Sequence, residues 1–150
     1  MKFLVINGVN LNMLGVREPE IYGSKTLADL EVQLTEKAES EDFEIDFFQS
    51  NYEGAIVEEI QKTMGVYDGI IINPGAFTHY SYAIHDAISS VNVPCVEVHI
   101  SDIQNREDFR KKSVIVPACI GQVAGFGFCS YEKGIDILLN KLKGEINEKN

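Results

Sequence analysis

The sequence predicts an α/β fold with a doubly wound parallel sheet of five strands and helices on both of its faces. Five short apolar runs alternate with segments whose apolar residues recur at helical spacing. This alternation is typical of right-handed β-α-β units, which build parallel sheets. The run GIIIN at residues 69–73 is rich in isoleucine, as expected for a strand that is covered on both faces. The length of 150 residues fits one domain, which we place at residues 1–150.

The predicted strands and helices alternate along the chain. Strands are expected at residues 3–7, 43–49, 69–73, 95–100 and about 121–125. Helices are expected at about residues 27–41, from 53 to before 65, 80–90, 106–112 and 132–143, with a frayed tail at 147–150. Two helix starts carry a capping-box pattern, in which a hydroxyl side chain precedes an acidic residue by three positions. These patterns are Thr26 with Asp29 and Ser50 with Glu53.

The composition limits the partners that this chain can have. The net charge of −10 argues against a nucleic-acid surface, which must be basic. No apolar run approaches the roughly 20 residues that a membrane helix needs, and the apolar start is too short for a signal peptide. Cys95, Cys119 and Cys129 are odd in number and lack CxxC spacing, so we expect reduced thiols and a cytoplasmic protein.

The connection between the first strand and the first helix is the strongest indication of a functional site. Its sequence, NGVNLNMLGVREPEIYG, covers residues 7–23, whereas such connections usually have about two to six residues. Loops of this length tend to be lids or binding loops. In doubly wound sheets, ligands bind beyond the carboxyl ends of the strands. Residues 73–79 and 100–110 emerge at the same edge, so we expect the site there.

The arginines of the chain fall in or beside these segments. They are Arg17, Arg106 and Arg110. Three arginines can cluster by chance, but an acidic protein that holds a carboxylate needs local bidentate donors, which arginine supplies. The pattern therefore favours a small anionic ligand.

The fourth predicted strand carries a candidate general acid. Its two-residue period places Glu97 and His99 on one face. A carboxylate at this spacing can hold the imidazole and stabilise its protonated form, which suits His99 to donate a proton. Two other interpretations are a buried polar pair with a structural role and a metal site, which only His79 could complete with a third ligand.

Tyr22 is a candidate base in the long loop, five residues after Arg17. A free tyrosine has a pKa of about 10, and a nearby guanidinium favours its phenolate. A phenolate and an imidazolium form a base and acid pair that can remove a carbon-bound proton and expel water. An aromatic side chain that packs on the surface is the alternative interpretation of Tyr22. No nucleotide cofactor is expected, because GQVAGFG at residues 121–127 resembles neither a P-loop nor a dinucleotide fingerprint.

Four sequence blocks together resemble the type II 3-dehydroquinate dehydratases. The blocks are NGVNLNMLGVREPEIYG, NPGAFTHYSYAIHDA, VEVHISDIQNREDFR and GQVAGFG. Their order and spacing match that family over nearly the whole chain. The resemblance implies a flavodoxin-like fold and a lyase that removes water from 3-dehydroquinate to give 3-dehydroshikimate without a metal or organic cofactor. It also implies a dodecamer of four trimers. The reaction serves the shikimate pathway of aromatic amino acid biosynthesis and also quinate breakdown, and the resemblance leaves both open.

The same resemblance implies roles for individual residues in the reaction. Tyr22 would remove a proton from the carbon next to the ketone, and Arg17 would keep the phenol ionised. Asn10 would position a water molecule that stabilises the enolate. His99, held by Glu97, would protonate the departing hydroxyl.

Further residues would bind substrate or close the site. Arg106 would help to complete a lid that carries Arg17 and Tyr22, and Asp86 would reach in from a neighbouring subunit. The substrate's hydroxyls and carboxylate would be bound by Asn73, His79, Ile100, Ser101 and Arg110.

One position departs from the family pattern. Val9 stands where the family usually has proline, so the turn should be looser and Asn10 slightly displaced, with altered affinity and retained activity. Two rival functions remain open at this point. One is a non-catalytic flavodoxin-like module that binds a small anion, and the other is a metal-assisted hydrolase that uses Glu97, His99 and His79.

Overall fold

A computed structural model of the chain describes residues 1–16, 20 and 23–149. Five parallel strands form one sheet in the order β2-β1-β3-β4-β5. The strands are β1 (Lys2–Asn7), β2 (Glu44–Gln49), β3 (Gly69–Asn73), β4 (Cys95–His99) and β5 (Gly121–Ala124). The predicted parallel sheet of five strands is confirmed. Tyr22, the predicted base, and Arg17, the residue predicted to activate it, lie outside the described residues.

In the part of the chain that the structure describes, four α-helices cover the two faces of the sheet, as predicted. They are α1 (Leu27–Glu41), α2 (Glu53–Gln61), α3 (Tyr82–Val91) and α4 (Cys129–Lys149). The core cluster on one face joins the sheet to α1 and α4 and includes Phe3, Val5, Leu30, Leu34, Ile71, Val98, Ile135 and Leu138. The cluster on the other face joins it to α2 and α3 and includes Leu4, Ile6, Ile56, Ile60, Ile72, Ile84 and Ile88. Strand residues alternate between the two clusters because successive side chains point to opposite faces.

The strand order reverses between β1 and β3. The chain runs from β1 outward to β2 and then returns to the other side of β1 to form β3. The crevice at the carboxyl ends of these two strands is the position where doubly wound sheets bind ligands. Asn7 and Asn73 are register partners at this point and end the two strands.

The predicted capping box of α1 is confirmed, whereas that of α2 is wrong. In α1, Thr26 Oγ1 accepts from the Asp29 N–H at 3.2 Å, and Asp29 Oδ2 accepts from the Thr26 N–H at 2.8 Å. In α2, the N-cap is Tyr52, which makes no side-chain cap bond. Ser50 Oγ accepts from the Tyr52 N–H at 3.0 Å, so its hydroxyl closes a tight turn that ends at the helix cap.

Three other segments differ from the sequence-based expectation. Residues 106–112 form no α-helix: a short 3-10 turn, Ile103–Asn105, precedes them, and a second one, Asp108–Arg110, lies within them. The extended backbone of Arg106, with φ −115° and ψ −171°, separates these turns. Helix α3 begins two residues later than predicted because Ser81 Oγ caps it by accepting from the Ile84 N–H at 3.1 Å. Helix α4 continues to Lys149, through most of the predicted frayed tail.

Among the described residues, no helix has both the length and the apolar character needed to cross a membrane.

Candidate active site

A pocket opens at the carboxyl ends of β1, β3 and β4, where the sequence predicted the site. It is lined by polar side chains from the loops after these three strands and by apolar side chains between them. The predicted site residues that line it are Asn10, Asn73, His79, His99, Ile100, Ser101, Arg106 and Arg110. The apolar lining comes from Val9, Leu11, Met13, Leu14, Ala76 and Ile103. Both described arginines therefore lie at one pocket.

Glu97 lies directly beneath the pocket on β4. Its side chain is completely buried, whereas His99, two residues later on the same face, lies at the pocket wall. His99 Nε2 is 3.5 Å from Glu97 Oε1, which is an ion-pair distance longer than a good hydrogen bond. Among the described residues, this buried Nε2 has no hydrogen-bond partner. The carboxylate is thus placed to stabilise a positive charge on the imidazole ring.

Three neutral side chains hold the Glu97 carboxylate in place. Thr78 Oγ1 and Ser113 Oγ donate to Oε1, the latter at 2.8 Å, and Gln122 Nε2 donates to Oε2. Ser113 Oγ also accepts from the backbone N–H groups of residues 115 and 116, which turns its proton toward the carboxylate.

The surroundings of Glu97 keep it ionised. Burial alone raises the pKa of its carboxyl, but the contact with His99 and the bonds from Thr78 and Gln122 outweigh burial. The pKa of Glu97 therefore lies below its ordinary value. A buried carboxylate with donors on both oxygens is a fixed anion.

Sequence reasoning missed Thr78, Ser113 and Gln122. Gln122 is the register partner of Glu97 on β5, so a correct prediction of the register between β4 and β5 would have identified it. Thr78 and Ser113 reach Glu97 from loops 19 and 16 residues away in the chain, and no local pattern marks them.

His79 presents one defined nitrogen to the pocket. Its Nδ1 lies 2.7 Å from the carbonyl oxygen of Lys112, and a carbonyl can only accept, so Nδ1 carries a proton. Burial lowers the pKa of His79, and the charges of His99 and Arg110 lower it further. A neutral ring with Nδ1 protonated has its lone pair on Nε2, which can accept a hydrogen bond from a ligand hydroxyl.

Asn10 begins the 3-10 turn Leu11–Met13 with a left-handed backbone, at φ 68°. Asparagine tolerates this conformation better than most residues. The Asn10 N–H donates to Asn51 Oδ1 at 2.9 Å, and Gln49 Nε2 donates to the same oxygen at 3.2 Å. The loop is also pressed against its neighbour, since a Cβ on Gly8 would clash with the carbonyl of Pro74. The asparagine is thereby fixed at the pocket edge.

Arg110 and Asp86, two of the residues predicted to bind substrate, differ in position. Arg110 lines the pocket, its Nε donates to Glu107, and its guanidinium lies 4.7 Å from the ring centroid of Phe109. Asp86 lies exposed on α3 and does not line the pocket of this chain. Its predicted contribution to a neighbouring subunit's site stays a prediction. Among residues 1–16, 20 and 23–149, no group of three His, Cys, Asp or Glu side chains is arranged to hold a metal ion.

Comparison with known proteins agrees with the four sequence blocks. The chain matches the family described as Dehydroquinase class II over residues 1–139. A protein of Bacillus cereus strain G9842 named 3-dehydroquinate dehydratase is 53% identical over 143 residues, which are 95% of this chain and 98% of that protein. A protein of the same name from Bacillus anthracis strain A0248 is 53% identical over 142 residues, with 95% and 97% covered.

Solved structures give the same result. A type II dehydroquinase from Butyrivibrio crossotus DSM 2876 has a TM-score of 0.90 and 50% identity, covering 92% of this chain and 97% of that one. A 3-dehydroquinate dehydratase-like protein from Bifidobacterium longum has a TM-score of 0.71 and 27% identity, with 95% and 98% covered. The chain therefore belongs to the class II dehydroquinase family.

Proposed function

We propose that this protein removes water from 3-dehydroquinate to give 3-dehydroshikimate through an enolate. Family membership supports the reaction, as do the names of the relatives. The observation that carries it is the Glu97–His99 pair, in which a completely buried anion lies 3.5 Å from an imidazole at the wall of a polar pocket. Such a pair can deliver a proton to a leaving hydroxyl.

The elimination has two steps. In the first, the Tyr22 phenolate takes a proton from the carbon next to the ketone, and the C–H electron pair forms the enolate. In the second, the enolate re-forms the ketone and a carbon–carbon double bond while the C–O bond breaks. The oxygen leaves with a proton from His99 as water, so proton and electron counts balance. A base and an acid of opposite charge are matched to these two steps.

The acid side of this mechanism is supported by the described geometry. Because His99 Nε2 faces Glu97, its Nδ1 is the nitrogen that can serve a ligand in the pocket. An imidazolium that is held by an ionised glutamate keeps one N–H on each ring nitrogen. His99 can then give the Nδ1 proton to the departing oxygen while its Nε2 keeps the proton that faces the carboxylate.

The base side rests on the family resemblance and on electrostatics. Tyr22 must lose its phenolic proton to act, and an unperturbed phenol does so only near a pKa of about 10. The guanidinium of Arg17, five residues earlier in the chain, would favour the phenolate at neutral pH. We propose that both residues belong to a lid that closes with the help of Arg106.

The pocket lining supports the binding roles. Arg110 is suited to the substrate carboxylate, since a guanidinium binds this group with two parallel hydrogen bonds. Neutral His79 and the amide of Asn73 suit hydroxyl groups, and Asn10 would hold the water that stabilises the enolate oxygen. Ile100 and Ser101 would complete the binding of the carboxylate and hydroxyls.

The assembly and cellular setting belong to the same proposal. A dodecamer of four trimers would bring Asp86 from one subunit toward the site of its neighbour. We propose that residues 1–150 form one catalytic domain, that the enzyme needs no cofactor, and that it works in the cytoplasm.

The test is an absorbance assay on purified protein without added metal. The product contains a conjugated enone, so turnover of 3-dehydroquinate appears as a rise in ultraviolet absorbance. Tyr22→Phe keeps the ring but deletes the ionisable oxygen, and we expect its kcat to fall by on the order of a thousandfold. A Tyr22→Phe variant as fast as the parent would refute the assignment of the base, whereas an inactive parent would refute the reaction. Full activity after exhaustive chelation is expected and separates this mechanism from a metal-assisted hydrolase.

A further inference from the structure

The phenol of Tyr131 is a buried polar group behind the pocket-lining residue Asn73, and the proposed reaction does not use it. Tyr131 lies in the first turn of α4 and is completely buried. Its hydroxyl donates to Asn7 Oδ1 at 2.6 Å and accepts from Asn73 Nδ2 at 2.9 Å. One hydroxyl therefore connects the carboxyl ends of β1 and β3 to a helix on one face of the sheet.

Each hydrogen bond in this chain of groups has a single possible direction. The Gly75 N–H donates to Asn73 Oδ1 at 3.1 Å, and a backbone N–H can only donate. Nδ2 of Asn73 must then face Tyr131, and an amide nitrogen cannot accept, so the phenol gives its own proton to Asn7. Burial raises the pKa of the Tyr131 phenol well above its ordinary value, so it keeps that proton. The Asn73 amide is thus locked in one of its two flip orientations.

The locked amide still has capacity for a ligand. An asparagine side chain has two N–H donors and two acceptor lone pairs, and the bonds to Tyr131 and Gly75 use one of each. Asn73 lines the pocket, so the second N–H and the second lone pair can serve a substrate hydroxyl. We propose that Tyr131 is a positioning residue, which sets substrate affinity by orienting the Asn73 amide. This inference rests on the proposed function, because it requires that Asn73 binds the substrate.

Tyr131→Phe tests the proposal with the loss of one oxygen atom. KM for 3-dehydroquinate is expected to rise roughly threefold to tenfold, the range that loss of one neutral hydrogen bond produces. The kcat is expected to stay within about twofold, since Asn73 would bind the substrate equally well before and during the reaction. A purely structural role would lower the melting temperature and the fraction of active enzyme without a change in KM.

Tyr67→Phe is the matched control. Tyr67 precedes β3 at the opposite edge of the sheet, and its hydroxyl donates to Asp46 Oδ2 at 2.6 Å. The variant loses the same chemical group and a similar hydrogen bond, but KM is expected to stay at the parent value.

A double-mutant cycle shows whether Tyr131 acts through Asn73. Asn73→Ala is expected to raise KM, and adding Tyr131→Phe to it is expected to raise KM no further. An unchanged KM in Tyr131→Phe, or the same rise in the Asn73→Ala background, overturns the inference while the proposed function stands. If the parent protein does not turn over 3-dehydroquinate, both the proposed function and the inference about Tyr131 are refuted.

Asn7→Leu is a second test, for the case that Tyr131→Phe does not fold. It changes Asn7, the other hydrogen-bond partner of the Tyr131 hydroxyl. The variant removes the acceptor of the Tyr131 proton, so the phenol is free to rotate and the Asn73 amide loses its fixed partner. KM is again expected to rise with kcat retained, and an unchanged KM in a folded Asn7→Leu protein contradicts the proposal.

Discussion

Two polar clusters lie at the same edge of the sheet, on its opposite faces, and they are built from different chemistry. The charged cluster consists of Glu97, His99, Thr78, Ser113 and Gln122. The amide cluster consists of Asn7, Asn73 and Tyr131 and contains no ionised group. Strand alternation places the clusters on opposite faces. Val96 and Val98 of β4 pack in the same core cluster as Tyr131, so Glu97, which lies between them in the strand, points to the other face of the sheet.

The difference between the clusters indicates two separate tasks. In the charged cluster, donors surround an anion and the nearby imidazole is the group whose charge changes, so disruption should alter proton transfer and its pH dependence. In the amide cluster, hydrogen bonds define only the direction of an amide, so disruption should alter affinity. The comparison therefore predicts kcat effects on one face and KM effects on the other.

Glu97→Gln should have the largest effect of the variants of the two clusters, because it removes the negative charge of the charged cluster and leaves the shape of the side chain nearly unchanged. We expect kcat to fall by on the order of a hundredfold. The pH profile of kcat should also change at its acid end, where the Glu97 carboxyl of the parent takes up a proton and glutamine has none to take. The pH profile of kcat measures both effects. Glu58→Gln, on the exposed surface of α2, is the control, and a Glu97→Gln profile that overlies the parent profile would contradict a role for the charge.

Acid unfolding provides a test of the same carboxylate that is independent of activity. The folded state holds the pKa of Glu97 below its ordinary value of 4.5, so below that pH the unfolded chain binds more protons than the folded one. The stabilisation is present above about pH 4.5 and is lost as the pH falls through the folded pKa. We expect the free energy of unfolding in urea to fall more in the parent than in Glu97→Gln between about pH 5.5 and pH 3, by no more than about 2 kcal/mol, since one pH unit of titration by a single group is worth about 1.4 kcal/mol. Parallel curves for the two proteins would show that Glu97 makes no such contribution.

The sequence predicted the edge of the sheet that holds the pocket but not how its residues are supported. Strand alternation placed Glu97 and His99 together because both lie on one strand. Gln122 lies in a predicted strand, yet its bond to Glu97 depends on the register between two strands that are 25 residues apart. Tyr131 meets Asn7 across 124 residues. Such contacts are determined by the packing of whole elements, and no local pattern encodes them.

Gln122→Leu tests the charged cluster at its most accessible member. Gln122 lies exposed on β5, and its Nε2 donates to Glu97 Oε2, so water can replace the lost bond in part. We expect kcat to fall roughly twofold to fivefold with KM unchanged, which is the opposite pattern to that of Tyr131→Phe. Gln61→Leu, at the exposed end of α2, is the control. A rise in KM at constant kcat in Gln122→Leu would contradict the assignment of kcat effects to the charged cluster and KM effects to the amide cluster.

Val9→Pro should give the smallest effect, and it acts on the loop that follows β1. Val9 lines the pocket beside Asn10, and a Cβ on Gly75 would lie only 2.5 Å from the Val9 carbonyl oxygen, so the loop leaves little room to shift. Proline would restore the residue that the family usually has and would stiffen the unfolded chain. We expect KM to fall by less than about threefold and the free energy of unfolding to rise by about 0.4–1 kcal/mol. Val9→Ala keeps the N–H and the free φ, so it should give neither gain. A large rise in KM in Val9→Pro would instead show that this chain holds residue 9 in a backbone conformation that proline cannot adopt, and that its Asn10 is positioned differently from the asparagine of proline-containing relatives.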